Sequence, residues 1–381
     1  MPSFRGKRIR ADQQAPMLSP EGAREGAKTT RFSTRKRQAR GATTAVDHAQ
    51  TAPCRQSEDT PELNNLRSSA SERKHLSAHS SSSSSSKFQP TAPKNEELAA
   101  VAHLIRTAKR IVILTGAGIS VSCGVPDFRS EGGLYDMIGK FCLGLPQPEC
   151  LFDIEYFQDD PAPFYEFAAK LFPSNLKREE AKANEDTSNE FASEFNPSRT
   201  HHFIRMLEMK RKLLRNYTQN VDGIEFKAGL SSNKVVQCHG NFSKGRCLKC
   251  KRKYKYKEFR SHLLSGRVQY CDKKNRKWTC GGIVKPDITF FGEKVSPKVF
   301  ELLQRDREKV DLIIVIGTSL SVEPVSEILN VIPPRVPQVL INREPVRPKK
   351  ASPDWKGFDY ELLGDCDDVT TCILKALRWS N

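Results

Sequence analysis

The chain has 381 residues and a formal net charge of +17. That length predicts one large domain or two, plus tails. No run of about 18 apolar residues is present, which excludes a transmembrane helix, and the N-terminus lacks the apolar core of a secretory signal.

Residues 1–93 are rich in Ser, Arg, Ala and Gln and hold few large apolar side chains, so they are expected to be disordered. They carry 16 Lys and Arg against 8 Asp and Glu, which makes this tail a major source of the positive charge. Basic clusters at Arg5, Lys7, Arg8 and Arg10, and at Arg31, Arg35, Lys36 and Arg37, predict nuclear import or contact with nucleic acid. A solvated tail without a partner and a mitochondrial presequence are the alternatives. Asp12, Glu21 and Glu25 count against a presequence.

Order is expected from residue 94 to 381. Leu98, Val101, Ala102, Ile105 and Ala108 have helical spacing over 96–109. Residues 111–114, Ile-Val-Ile-Leu, lack polar alternation and predict a strand buried on both faces, as in a parallel sheet. Gly116, Ala117 and Gly118 follow at once and predict a tight turn that brings backbone N–H groups to a dinucleotide pyrophosphate. Val121 stands where the dinucleotide fingerprint wants a third glycine, so a plain turn remains an alternative at this point. Asp127, Phe128 and Arg129 lie in a polar loop suited to closing over a nucleotide.

Residues 151–172 are aromatic-rich and broken by Pro161 and Pro163, which predicts short helices that form a pocket wall or simply core. The charged stretch 177–196 predicts a surface loop or insertion. An amphipathic helix is expected over 200–212. A second strand, 213–222, ends in Gln219, Asn220 and Asp222, where an open α/β sheet binds its ligand. A third, 235–240, ends in His239, which is a candidate general base or a structural histidine. Further strands are expected over 282–293, with edge character, and over 311–316, 338–341 and 360–363, before a terminal helix over 368–378. Apolar strands ending in small or polar residues, with helices between them, predict a Rossmann-like, doubly wound parallel sheet.

Eleven cysteines, odd in number and clustered, suit a reducing compartment with metal or free thiols. Cys247, Cys250, Cys271 and Cys280 predict a closed, structural tetrahedral zinc site in a small inserted module over about 243–284. A redox Cys-x2-Cys is the alternative, without the flanking pattern it needs.

Seven blocks occur in one order: GAGIS at 116–120, PDFRS at 126–130, TQNVD at 218–222, CHG at 238–240, KPDITFFGE at 285–293, GTSLSV at 317–322 and INRE at 341–344. In these the chain resembles the sirtuin family, the NAD-dependent protein deacylases, over residues 96–377, and within it the nuclear class of silencing proteins. The resemblance implies that Gly116, Ala117, Gly118 and Ser120 cradle the NAD phosphates, and that Asp127, Phe128, Arg129 and Tyr135 form a mobile cofactor loop. Gln219, Asn220 and Asp222 would line the nicotinamide and ribose pocket. Gly317, Thr318 and Ser319 would meet phosphate and ribose; Asn342, Arg343, Glu344 and Cys366 would hold the adenosine half. Val284, Phe291, Gly292 and Glu293 would line the acyl-lysine tunnel, and His239, with Asn220, would carry catalysis. The implied reaction is removal of acetyl groups from histones and other nuclear proteins, releasing nicotinamide and O-acetyl-ADP-ribose, with a role in silencing. Removal of longer acyl chains or mono-ADP-ribosylation is the alternative within the family. Expected partners are acetylated histone tails and chromatin proteins, in the nucleus and with no membrane; nucleic-acid contact by the tail is a further expectation.

Overall fold

The structure is a computed structural model, and the residues it describes are 94–141, 143–171 and 195–379. The predicted tail, 1–93, lies outside them, as does most of the charged stretch 177–196. No described helix is long and apolar enough to cross a membrane.

The first half runs α1 (Asn95–Thr107), β1 (Ile111–Thr115), α2 (Leu134–Lys140), α3 (Ile154–Asp159), α4 (Ala162–Leu171), α5 (Arg199–Met209), β2 (Leu213–Thr218), α6 (Ile224–Lys227) and β3 (Val235–Gln237). A small module follows: β4 (Gly240–Cys247), β5 (Lys253–Lys255), α7 (Tyr256–Ser265), β6 (Lys274–Asn275), β7 (Trp278–Thr279) and β8 (Val284–Ile288). The chain ends with α8 (Pro297–Arg307), β9 (Leu312–Ile316), α9 (Ile328–Val331), β10 (Gln338–Asn342), β11 (Tyr360–Leu363) and α10 (Cys366–Leu377).

Six strands form one parallel sheet in the order β11-β10-β9-β1-β2-β3. Side chains alternate between faces along a strand. Ile111 and Ile113 therefore join α1, α5 and α10 through Val101, Ile105, Phe203 and Ile373. Val112 and Leu114 join α8 and α9 through Val299, Leu303 and Ile328 on the other face. Both faces are covered, so β1 and β9 are fully buried and, save for Thr115 at the end of β1, apolar. Each such side chain contributes about 1.5–3 kcal/mol by leaving water.

The small module expected over about 243–284 has a sheet of its own and takes in the strand expected over 282–293. β8 joins an antiparallel three-stranded sheet, β5-β4-β8, with β4 in the centre. Its edge character holds for the backbone, yet its side chains are mostly buried. Four aromatics of 151–172 are core: Phe157, Phe164, Tyr165 and Phe167 pack with Phe259 and Phe290. The second and third strands stop at Thr218 and Gln237, earlier than the sequence suggests. Their polar ends are released into loops.

Candidate active site

The strand order reverses at β1. From it the chain proceeds outward to β2 and β3, then returns to β9 on the other side. A ligand crevice is expected at such a switch point, outside the carboxyl ends of the strands. Gly116, Ala117 and Gly118 leave β1 there, and Gly317, Thr318 and Ser319 leave β9 beside them. Gly118 N donates to Gly317 O at 2.8 Å. A Cβ on Gly116 would lie 2.7 Å from Thr318 Cβ, and one on Gly118 2.7 Å from Gly317 Cα. Gly317 itself has φ +62°. Glycine is thus required by the backbone-to-backbone approach of the two loops.

The end of β2 ties into these loops. Asn220 Nδ2 donates to Gly116 O at 3.2 Å and to Ser120 Oγ at 3.1 Å. Ser120 Oγ in turn donates to Asp222 Oδ2 at 2.8 Å, and Ile224 N donates to Asp222 Oδ1 at 3.0 Å. Gln219 Nε2 donates to Thr318 Oγ1 at 2.9 Å. Predicted residues from three strands therefore form one connected polar floor. Burial pushes the Asp222 carboxyl up. Burial, then the neighbouring Asp222, pushes Glu225 up to about 8. Neither Glu225 oxygen has a hydrogen-bond partner among the described residues, whereas Asp222 has two donors, so Glu225 holds the proton of this pair. The sequence analysis singles out Asp222 and misses Glu225, which reads as an ordinary surface acid at a helix start.

His239 follows β3. Its Nδ1 lies 2.9 Å from Gln219 O. A carbonyl only accepts, so Nδ1 carries the proton and Nε2 is the bare lone pair. That Nε2 is buried with no hydrogen-bond partner among the described residues. Burial lowers the pKa of the ring, against the Gln219 hydrogen bond that raises it. The arrangement is a neutral imidazole fixed in one tautomer and free to accept a proton.

The predicted cofactor loop is held mainly by itself. Asp127 accepts from Arg129 N at 3.0 Å and from Ser130 N at 2.8 Å, and Leu134 N donates to its backbone oxygen at 2.7 Å. Phe128 packs edge-on to Tyr135 and Phe152, and Arg129 lies over the Tyr135 ring at 6.0 Å. At the outer end of the sheet, Gly364 N donates to Asn342 O, bringing β10 and β11 together. Arg343 Nε donates to Asp365 Oδ1 at 2.7 Å, Asn342 Nδ2 to Glu344 O at 2.8 Å, and Cys366 is buried at the start of α10. Burial pushes the Cys366 thiol up to about 12, so it acts as an apolar contact rather than a nucleophile.

The predicted substrate residues divide. Thr289 N donates to His239 O at 2.8 Å, which brings the end of β8 to the imidazole. Phe291 is exposed, bonds Phe152 and Ile154 through its backbone, and precedes Gly292 at φ +84°. Val284 is at the opposite end of β8, about 13 Å away along the strand. It pairs with Cys247, and its side chain is wholly buried in the module core. Glu293 is committed to Lys285, Nζ to Oε2 2.8 Å, and to Phe290 N at 2.8 Å. Lys285 is itself buried, donates to the carbonyls of Pro286 and Ile288, and lies over the Phe290 ring at 4.2 Å. A buried lysine between Val284 and Pro286 has no signature in the sequence.

The four predicted cysteines converge. Their sulfurs lie within 4.8 Å of one another, with Cys247–Cys280 at 3.7 Å and Cys250–Cys271 at 3.6 Å. A tetrahedron with metal–sulfur bonds of about 2.3 Å has edges of about 3.8 Å, so the set fits one zinc ion. The long 271–280 spacing is taken up by the hairpin β6–β7.

Comparison with known proteins gives two findings. The sequence profile of the Sir2 family matches residues 116–186 and 175–324, more than half of the chain. The NAD-dependent protein deacetylase sir-2.1 of Caenorhabditis elegans is 43% identical over 283 residues, 74% of this chain and 41% of its own. The NAD-dependent deacetylase sir2D of Dictyostelium discoideum is 42% identical over 73% of this chain and 46% of its own. The NAD-dependent protein deacetylase sirtuin-1 of Homo sapiens is 42% identical over 70% of this chain and 32% of its own. The chain thus spans less than half the length of each.

Proposed function

Since the chain belongs to the Sir2 family, we propose that it is an NAD-dependent protein-lysine deacetylase acting on histone tails and other nuclear proteins. The observation that carries this reading is the bare, buried Nε2 of His239, held in one tautomer by Gln219 O. Bound NAD supplies a ribose carbon that becomes strongly electrophilic as nicotinamide departs. The chain's own groups do the rest. Gly116 and Gly118, with no side chain, let the turn after β1 come close to the pyrophosphate. Asn220 and Asp222, anchored through Ser120, orient the nicotinamide and ribose. Phe128, Phe152 and Phe290 keep water from the reacting carbon. The acetyl-lysine peptide adds beside β8, with Phe291 and Gly292 at its entry. His239 Nε2 accepts a proton from a ribose hydroxyl, which then takes up the acetyl group. The products are free lysine, nicotinamide and O-acetyl-ADP-ribose, with one water consumed, after nicotinamide has left, to release the lysine amine.

Zinc on the four cysteines has a structural role here, because a site with four protein ligands has no open position. In this reading residues 94–381 are the catalytic domain. The basic tail directs the protein to the nucleus, where deacetylation silences chromatin. The test is nicotinamide release from NAD with an acetyl-lysine histone peptide, comparing the wild type with His239→Ala. Release that needs both substrates, yields one free lysine per nicotinamide and fails in the variant supports the reading. Release only with longer acyl peptides would replace deacetylation by another deacylation, and no release with any would end the proposal.

A further inference from the structure

Beyond residue 93, the net positive charge comes from the cysteine module. Residues 244–277 carry 14 Lys and Arg against 2 acids, Glu258 and Asp272. The remainder beyond residue 93 carries 32 Lys and Arg against 35 Asp and Glu, so it offers no general attraction for anions.

Within the module, β4 and β5 pair antiparallel with Lys244 opposite Lys255 and Arg246 opposite Lys253. Gly245 and Tyr254 take the alternate positions and are buried; the four cations are exposed. Like charges directly opposite one another destabilise a sheet, and here two such pairs are adjacent. Lysines on an edge strand can serve to block edge-to-edge pairing, which would explain β5. That does not explain β4, which is paired on both sides. Arg246 has one carboxylate, Asp287, at 3.5 Å. Arg252, not part of this face, takes both Glu258 and Asp272. Among the described residues, no carboxylate lies within ion-pair distance of Lys244, Lys253 or Lys255.

We propose that this four-cation face binds the phosphate backbone of nucleic acid. The cations form a grid of about 5 Å between strands and about 7 Å along each strand. The longer spacing is close to the phosphate-to-phosphate step of a nucleic-acid strand. Three of the four are lysines, which meet phosphate as point charges; a carboxylate partner would favour arginine forks. Two exposed aromatics, Tyr270 at 57% and Trp278 at 49%, stand on the same module, with the Lys249 ammonium 5.8 Å from the Trp278 ring. Such flat faces beside cations stack bases. No large apolar side chain of β4 or β5 is exposed, so a membrane surface finds nothing there to insert. β4 starts one residue beyond His239, and its cations lie about 15–25 Å from it along the strand. Nucleic acid held there would keep the candidate active site close to the proteins packed on it.

The test uses the full chain and fluorescence anisotropy with a 30-base-pair DNA duplex, a 30-nucleotide single-stranded DNA and the matching RNA, from low to high salt. The variant Lys244→Ala, Arg246→Ala, Lys253→Ala, Lys255→Ala should weaken binding at least tenfold. It should also flatten the dependence of log K on log salt by about 3, as expected for four lost phosphate contacts. Its thermal midpoint should not fall, because like charges are relieved. The edge-strand pair Lys253→Ala, Lys255→Ala should give about half that change in slope, and Lys244→Arg, Lys253→Arg, Lys255→Arg should keep wild-type binding. Replacing Arg5, Lys7, Arg8 and Arg10 of the tail by Ala should leave the loss intact. Wild-type affinity and slope in the four-residue variant would overturn the proposal, as would tighter binding of polyglutamate or anionic vesicles than of any nucleic acid. The duplex and single-strand arms show which form the face prefers.

Discussion

The Nδ1 proton of His239 is donated to the backbone oxygen of Gln219 across 2.9 Å, twenty residues earlier in the chain. β2 and β3 lie side by side, so the end of one orients the imidazole at the end of the other. His239→Ala should lower the rate of nicotinamide release with acetyl peptide by about 10²- to 10⁴-fold. Burial holds the ring below the usual histidine range. Neutral imidazole is the active form, so activity should persist below pH ~6.5 and fall only at more acid pH. An acid limb at or above pH ~6.5 would contradict this.

Glu225 provides a test of opposite sign. Its folded value, about 8, is above its ordinary 4.5, so the folded chain binds the extra proton between these values. The stability this contributes is complete below pH 4.5 and is lost as pH rises through 8. Glu225→Gln keeps the shape without a titrating group. Urea unfolding should show the wild type losing about 2 kcal/mol more than the variant between pH 6 and pH 8. Parallel curves would mean that Glu225 is ionised in the fold.

The Lys285–Glu293 pair fixes the turn that carries Phe291 and Gly292. Glu293→Ala leaves the buried ammonium with only carbonyls, and should cost about 3 kcal/mol in unfolding free energy. It should also raise KM for the peptide more than it lowers kcat. The double variant Lys285→Met, Glu293→Ala removes the stranded charge and should recover most of the stability. Additive losses would show that the two groups act independently.

Gly118→Ala tests the switch-point contact. Its Cβ would meet Gly317 Cα at 2.7 Å, with backbone on both sides and no side chain able to yield. The expected loss is about 1–3 kcal/mol of stability. Calorimetric titration should show NAD affinity lost in the variant while peptide binding remains. Unchanged NAD affinity would remove the glycines from the nucleotide site.

Metal analysis of the purified chain should find one zinc per molecule. Cys271→Ser should release it and lower the thermal midpoint, because a structural zinc site contributes directly to folding. Full zinc occupancy in that variant would place the metal elsewhere.

Several parts of this molecule are local properties of the chain. Residues 111–114 and 312–316 are apolar without alternation because both faces of a parallel strand are covered, and that pattern needs no knowledge of neighbours. Glycines at 116, 118 and 317 mark turns by their composition. The four cysteines mark a metal by their chemistry, and His239 by its place after a strand. Other features depend on residues far apart in sequence. Strand order put Gly118 against Gly317. Pairing with β4 removed β8 from the main sheet and put Val284 opposite Cys247, at the far end of the strand from Thr289. The fold buried Lys285 and Glu225, and it set Lys244 and Arg246 opposite Lys255 and Lys253. Hydrophobic period and backbone freedom are encoded residue by residue, whereas burial of a charge and the partner of a side chain follow only from the packing of distant elements.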